Sequence, residues 1–143
     1  MTARKHKKIT SITHTTGSFN GKAITSFVPD YSEAYVHPSE DVIIIRAVQL
    51  YSPSTISEIF LQMDKNIQNG EHEFPGSPGI HYLDIYPLIG GGPYEVTQAK
   101  LTVNFDLTKG HFKGSITLDG YLHGNTTNTI NLTCAYDLKS GLR

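Results

Sequence analysis

Strict alternation of apolar and polar residues near the C-terminal end most constrains what this chain can fold into. The alternation runs through Lys100–Leu107 and His111–Tyr121, which flank a Thr108-Lys109-Gly110 turn, and through Thr129–Leu138. Successive side chains of a β-strand point to opposite faces, so the pattern predicts three antiparallel strands with one buried face. We therefore expect an all-β protein, a single-domain antiparallel β-sandwich or flattened barrel of about eight strands.

Length and charge fit one soluble domain. A chain of 143 residues buries enough surface for its own core. Four basic residues, Arg4, Lys5, Lys7 and Lys8, precede a mildly acidic body. We expect residues 1–8 to be a disordered basic tail and residues 9–143 to be a single β domain. No basic strand interleaved with aromatic residues accompanies the tail, so nucleic-acid binding is not expected.

The chain shows no apolar signal-peptide region and no run of about 20 apolar residues that could span a bilayer. It is expected to be cytoplasmic, or exported without a recognisable N-terminal signal peptide, and to have no transmembrane segment. The one cysteine, Cys134, lies on the apolar face of the last predicted strand. It is expected to be a buried and unreactive thiol.

Further strands are predicted at Lys8–Thr15, Ser18–Val28, Val42–Tyr51, Glu71–Phe74, Ile80–Leu88 and Tyr94–Gln98. Asn20-Gly21 is the strongest two-residue hairpin signal in the chain. Asp30–Asp41, which follows Pro29 and contains Pro38 and two tyrosines, is expected to be loop. Val42–Tyr51 is apolar on both faces, as in a central strand, and Arg46 within it should require an ion pair.

Ser54–Gly70 fits two secondary structures. Helical spacing of Ile56, Ile59, Phe60, Met63 and Ile67, a Thr55-Ile56-Ser57-Glu58 capping box and Gly70 as a terminator favour a helix. Alternation of Ile59, Leu61 and Met63, between turns typical of a meander, favours a strand. The order of neighbouring strands tips the prediction to a strand over Ile56–Met63.

The register of the last hairpins follows from keeping apolar side chains on one face. Pairing Leu101, Val103 and Phe105 with Ile116, Gly114 and Phe112 places Asp106 opposite His111, Asn104 opposite Lys113 and Thr102 opposite Ser115. In the next pair, Leu118, Ile116 and Gly114 should meet Ile130, Leu132 and Cys134. That pairing requires an odd-numbered loop near His123–Asn125, with Gly124 at positive φ.

No pattern of an enzyme or a metal site is present. The chain has no Gly-x-Ser-x-Gly elbow, and His72, His81, His111 and His123 are scattered without the spacing of a metal motif. We expect no catalytic residue, no metal ligand and no cofactor.

Polar and aromatic residues on the exposed strand faces are the positive functional feature. Tyr82, Asp84 and Tyr86 share one side of a predicted strand, and Asp119 and Tyr121 share the outer face of another with Lys113 and His111. Flat aromatic rings beside carboxylate, amide and imidazole groups suit stacking and hydrogen bonding to a sugar or a peptide. The expected ligand-binding residues are Tyr82, Asp84, Tyr86, Asp106, His111, Lys113, Asp119 and Tyr121.

The expected function is a non-catalytic binding or interaction module that recognises a carbohydrate or a protein partner. Two alternatives stay open: a small hydrolase that uses carboxylates such as Asp84, Asp106 and Asp119, and an immunity-type protein that neutralises a partner. The first would require two carboxylates in a cleft. The second is suggested by small size and an acidic body.

A wider pattern joins the apolar strand from Val42, the Ile56–Met63 strand, the Ile67-x-x-Gly70 turn into Phe74, and the hairpin at residues 109–114. With this pattern the chain resembles small uncharacterised bacterial β-sandwich domains often found on lipoproteins, although the lipobox cysteine is missing. The resemblance covers about two thirds of the chain and implies a strand at residues 56–63. It implies no particular function.

Overall fold

The computed structural model describes residues 15–22, 26–27, 29–52, 55–85 and 94–140. These residues form ten strands and confirm the all-β prediction. The strands are β1 (Thr15–Lys22), β2 (Ser26–Phe27), β3 (Tyr31–Val36), β4 (Val42–Ser52), β5 (Thr55–Asp64), β6 (Gly70–Phe74), β7 (Ile80–Ile85), β8 (Tyr94–Asp106), β9 (His111–Leu122) and β10 (Asn125–Ser140). Among the described residues there is no helix of the length and apolarity needed to cross a membrane.

One antiparallel sheet contains all ten strands. Its order is β2, β1, β10, β9, β8, β7, β5, β4 and β3, and β6 pairs with β8 beside this path. The sheet curls until β1 approaches β3, where the Ala34 backbone N–H donates to the Thr15 hydroxyl at 3.4 Å. The result is a nearly closed barrel, a shape that reduces the length of exposed strand edge.

The barrel interior is apolar and follows the predicted alternation. On the last three strands, the side chains of Leu101, Val103, Phe112, Ile116, Leu118, Ile130, Leu132 and Cys134 are all buried. Their neighbours along the strands, including Thr102, Lys113 and Asp119, are exposed. Burying one leucine or isoleucine side chain contributes about 1.5–3 kcal/mol, so this face supplies much of the driving force for folding.

Strand β4 is buried on both faces, as its sequence predicts. Ile43 and Ile45 point into the barrel, while Val42, Ile44 and Val48 are buried on the opposite face. Arg46 lies on that opposite face too.

The expected ion pair of Arg46 is confirmed. Its Nε contacts Oε2 of the fully buried Glu58, and its Nη1 lies 3.8 Å from Oε2 of Glu33. Burial raises the pKa of Glu33, and the Arg46 charge opposes that shift.

The segment with two possible structures is strand β5, which confirms the favoured prediction. It pairs with β4 on one side and β7 on the other, and Ile59, Leu61 and Met63 face the core. A helix would satisfy its own backbone groups, but two neighbouring strands offer partners for the same groups and bury a full apolar face.

Two predictions near the N-terminal end are wrong. Asn20-Gly21 is not a turn, because β1 continues through it and Gly21 lies opposite Cys134. A Cβ at Gly21 would lie 2.8 Å from the Cys134 Sγ, so packing requires the glycine. The expected loop Asp30–Asp41 contains strand β3, which pairs with β4 along its whole length. The predicted basic tail at residues 1–8 lies outside the described residues.

Tyr94–Gln98 and Lys100–Leu107, predicted as separate strands, are one strand, β8. The alternation changes phase at Thr97, where the register with β9 shifts between Val96 and Gln98. Because of this bulge, one continuous strand has opposite phases of apolar–polar alternation before and after Thr97.

The register of β8 with β9 is as predicted, but that of β9 with β10 differs by two residues. Ile116 pairs with Cys134 and Gly114 with Tyr136. The buried Tyr136 side chain occupies the space beside Gly114, where a Cβ would lie 2.6 Å from the tyrosine Oη. The connection turns at His123-Gly124, with Gly124 at φ 87° as expected, and an irregularity between Asn125 and Thr129 takes up the offset.

Candidate functional site

The outer face of the barrel carries the residues predicted to bind a ligand, and it places them at two ends. Asp106, His111 and Lys113 lie where the β8–β9 hairpin turns, while Asp119 and Tyr121 lie toward the other end of β9. Lys113 and Asp119 are six positions apart on one strand, about 20 Å at about 3.3 Å per residue. The predicted set is therefore two patches.

Strand β7 brings Asp84 to the Tyr121 end. Its last residue, Ile85, pairs with Tyr94, and the residue after Tyr94 is Glu95, which pairs with Tyr121. Asp84 and Tyr121 are thus separated by two strand spacings, about 10 Å between backbones. We call Tyr82, Asp84, Glu95, Asp119, Tyr121 and Asn131 the tyrosine patch. Tyr86, predicted to belong with them, lies outside the described residues.

Hydrogen bonds hold several groups of the tyrosine patch in place. The Asn131 Nδ2 donates to the Asp119 Oδ1 at 2.7 Å, and the Thr97 hydroxyl donates to the Asp119 carbonyl at 3.1 Å. Glu95 Oε1 lies 3.6 Å from the His123 Nδ1. The Tyr82 side chain is 55% exposed, so its ring is available to a ligand.

Sequence reasoning missed Glu95 and Asn131. Glu95 faces outward because the bulge at Thr97 reverses the alternation of β8, and the sequence gives no clear sign of that bulge. Asn131 alternates outward on β10 and could have been included on periodicity alone. Its contact with Asp119 depends on the pairing of the two residues, and that pairing follows only from the observed β9–β10 register.

The other end of the face, the hairpin patch, consists of Asp106, His111, Lys113 and Asp137. Asp106 is opposite His111, as predicted. The expected contact between them is wrong, because the His111 Nε2 bonds the Asp137 Oδ1 at 2.5 Å. An oxygen of Asp106 instead accepts the Lys109 backbone N–H at 3.3 Å and closes the turn.

Charge in the hairpin patch is mixed. The hydrogen bond from His111 lowers the pKa of the exposed Asp137 carboxyl, and Lys113 and Lys139 act in the same direction. Between the two patches the predicted polar ladder is present, with the Thr102 and Ser115 hydroxyls 2.7 Å apart.

The two patches differ in the chemistry they offer. The tyrosine patch combines flat phenol rings with carboxylates and an amide, whereas the hairpin patch offers paired charges and no phenol ring. Within the described ranges, no three His, Cys, Asp or Glu side chains lie close enough together to hold a metal ion.

Comparison of this chain with known protein families, with curated proteins and with solved structures found no match.

Proposed function

We propose that the protein is a carbohydrate-binding module whose ligand lies on the tyrosine patch and is not chemically altered there. The observation that most supports this proposal is the placing of Tyr121. Its pairing partners are Glu95 on one side and Thr129 on the other, and the bonded pair of Asp119 and Asn131 follows two residues along.

A sugar ring has an apolar face and a rim of hydroxyl groups. A phenol ring offers a flat surface to the first, and carboxylate and amide groups accept or donate hydrogen bonds to the second. The carboxylates of Asp84, Glu95 and Asp119 would repel anionic glycans, so a neutral oligosaccharide is the ligand class proposed.

Shape and composition favour a glycan over a protein partner. The central part of most protein interfaces is apolar and buried, whereas this surface is mainly polar. A short oligosaccharide can lie along a convex strand face, and its affinity arises from a few stacking and hydrogen-bond contacts.

Carboxylate-dependent hydrolysis has less support. A glycosidase places two carboxyl groups about 5–10 Å apart in an enclosed site. Asp106 lies opposite His111, eight positions from Asp119, which is about 26 Å along the strand. Two open cavities, of about 370 and 420 Å³, are lined by other residues and not by Asp84, Asp106 or Asp119.

Binding to an array of neutral glycans, followed by titration of the best ligand, tests the proposal. Tyr121→Ala should weaken binding by about tenfold or more, because one aromatic contact contributes roughly 0.5–1.5 kcal/mol beyond its buried area. Asp119→Asn should also weaken binding, since a charged acceptor becomes a neutral one.

Tyr31→Ala is the matched control. Tyr31 is 47% exposed on β3, a strand that is three positions from β7 in the sheet order and carries no residue of the tyrosine patch, so its removal should leave glycan affinity unchanged. The proposal fails if no neutral glycan binds, or if binding survives Tyr121→Ala at full strength.

A further inference from the structure

Residues 65–79 connect β5 to β7, and the end of this connection returns to the residue at which β5 ends. The Asp64 N–H donates to the Gly79 carbonyl at 2.8 Å, which closes the base of this excursion. Within it β6 pairs with β8, and the Asn69 side chain exchanges two hydrogen bonds with the Phe105 backbone. We call residues 65–79 the β5–β7 excursion. Three separate attachments make it a fixed part of the fold.

A serine and a histidine meet inside the excursion. The Ser77 Oγ lies 3.1 Å from the His72 Nδ1, and the His72 Nε2 lies 2.6 Å from the Gln68 carbonyl oxygen. A carbonyl oxygen can only accept, so Nε2 carries a hydrogen. The neutral ring then has its lone pair at Nδ1, where it accepts the Ser77 hydroxyl hydrogen.

Both residues are held by the backbone. The Ser77 backbone N–H donates to the Glu73 carbonyl at 2.9 Å, and the Ser77 backbone carbonyl accepts the Ile80 N–H at 3.2 Å. His72 sits within β6, opposite Leu101. A hydroxyl, an imidazole nitrogen that can accept its proton, and a carbonyl that fixes the imidazole tautomer therefore lie in contact without a bound ligand.

Two open cavities share this pair as a wall. The first, of about 370 Å³, is also lined by Glu71, Glu73, Gly76 and Lys100. The second, of about 420 Å³, includes the apolar side chains of Ile67 and Pro78. Each volume lies within the usual range for small-molecule sites.

The contact between Ser39 and His37 differs from that between Ser77 and His72 in its hydrogen bonds and in its surroundings. Ser39 Oγ lies 3.4 Å from the His37 Nδ1, but that nitrogen also takes the Ser39 N–H at 3.2 Å. The opposite nitrogen faces the Glu40 carboxylate at 3.7 Å. Neither Ser39 nor His37 lines the two cavities.

We propose that Ser77 is a nucleophile and His72 its general base in the hydrolysis of small carboxylic esters, an activity separate from glycan binding. The Ser77 Oγ attacks the ester carbonyl carbon as its proton passes to the His72 Nδ1, and the carbonyl electron pair moves onto oxygen. Lys100 also lines the first cavity, and its ammonium is the cation that would stabilise the oxyanion. The second cavity takes the acyl chain against Ile67.

Collapse of the tetrahedral intermediate breaks the bond to the alcohol oxygen, which leaves with the proton from Nδ1. Water then attacks the acylated Ser77, His72 accepts its proton, and a carboxylic acid departs as the serine hydroxyl is restored. The Gln68 carbonyl keeps its hydrogen bond to Nε2–H throughout and stabilises the imidazolium that forms in each half.

Labelling with an alkyl fluorophosphonate, which reacts with activated serine hydroxyls, tests the proposal. Peptide mass spectrometry should place the adduct on Ser77 of the wild-type protein. Hydrolysis of p-nitrophenyl acetate should fall by at least about a hundredfold in Ser77→Ala and in His72→Gln. Ser39→Ala should match the wild type in both measurements.

Mapping the adduct in the wild-type protein makes the result independent of whether any variant folds. Thermal melts of Ser77→Ala and His72→Gln show whether each variant is folded, so loss of a catalytic group is distinguished from loss of the fold. An unmodified Ser77, an adduct on Ser39, or full labelling of Ser77 in a folded His72→Gln variant would overturn the proposal. None of these outcomes bears on glycan binding, which depends on the tyrosine patch.

Discussion

At the scale of single residues, the His111 side chain has two carboxylates within reach and forms a hydrogen bond with one of them. Asp106 lies directly opposite on β8, while Asp137 on β10 pairs with Lys113 and so lies diagonal to His111. Diagonal neighbours are about 7–8 Å apart between backbones, within reach of an imidazole. The turn uses Asp106 as an acceptor for Lys109, which leaves the ring to bond Asp137.

The carboxyl group of Asp137 should titrate below 3.8, its ordinary value, because the bond from His111 favours the ionised form. A depressed pKa contributes stability above the unfolded value, and that contribution is lost as pH falls through the lower, folded value. The Asp137→Asn variant should therefore lose stability relative to wild type above about pH 4 and converge with it in stronger acid. Carboxyl NMR and urea unfolding across this range measure both effects.

Two variants separate the carboxylates. His111→Gln should move the Asp137 titration up toward 3.8, whereas Asp106→Asn should leave it in place. A shift with Asp106→Asn and none with His111→Gln would mean that the ring bonds its directly opposite neighbour.

At the scale of elements, β3, β4 and β5 are joined by charges on a buried face. The Glu58 side chain is fully buried against Arg46, and the Arg46 and Glu33 side chains are each 13% exposed. Removing one member of such a pair leaves a buried charge without its compensation.

We expect Arg46→Met to destabilise the fold by about 3–5 kcal/mol, because Glu58 would then be buried without the guanidinium. The Arg46→Met, Glu58→Leu double variant should regain the part of that loss that comes from Glu58, and the part that comes from Glu33, which loses the same guanidinium, should remain. Guanidinium chloride unfolding gives both values.

Lys65→Met is the comparison for the same chemistry on the surface. The Lys65 ammonium lies 3.9 Å from Asp41, with both side chains well exposed, so its loss should change stability by less than about 1 kcal/mol. An equal effect from Lys65→Met and Arg46→Met would show that burial does not decide the energy of the Arg46 pair.

Alternation of apolar and polar residues predicts some strands and strand pairings and leaves others open. Alternation predicted β9, the part of β8 after Lys100 and the pairing between them, because a slip of one residue would expose the whole apolar face. A slip of two residues preserves the face, so the β9–β10 pairing was open to error, and Tyr136 beside Gly114 decided it. Strand β3 was missed because Pro29 and Pro38 lie on either side of it and prolines are loop signals.

The sequence also predicts some members of the candidate site and not others. Asp119 and Tyr121 share a face by periodicity alone. Their meeting with Asp84 depends on where β7 joins β8, and the outward direction of Glu95 depends on the Thr97 bulge. Ser77 and His72 meet across a turn, so no regular spacing reveals them.

At the scale of the whole molecule, closure of the sheet determines access to Cys134. The residue is 1% exposed on β10, between β9 and β1, and the space above Gly21 is filled by its sulfur. Burial raises the pKa of this thiol to about 12, so the reactive thiolate is scarce near neutral pH.

Labelling of Cys134 by a thiol reagent should therefore report opening of the barrel. In native buffer the reaction should be slow, and its rate should rise with urea in step with unfolding. Gly21→Ala should speed the reaction, because a Cβ there would lie 2.8 Å from Sγ and 3.3 Å from the Thr133 carbonyl. Complete reaction within the mixing time in native buffer would show instead that the thiol is accessible in the folded state.

The pairing of β1 with β10 also determines how the barrel responds to tension. Thr15 lies opposite Ser140, so a pull through these two residues acts on the same end of an antiparallel ladder. Each pair from there to Lys22 and Thr133 is then loaded in turn and the strands peel apart, because the hydrogen bonds lie along the pulling direction. A pull through Lys22 and Ser140 would shear the whole ladder at once, so this protein should be mechanically weak in one direction and strong in the other.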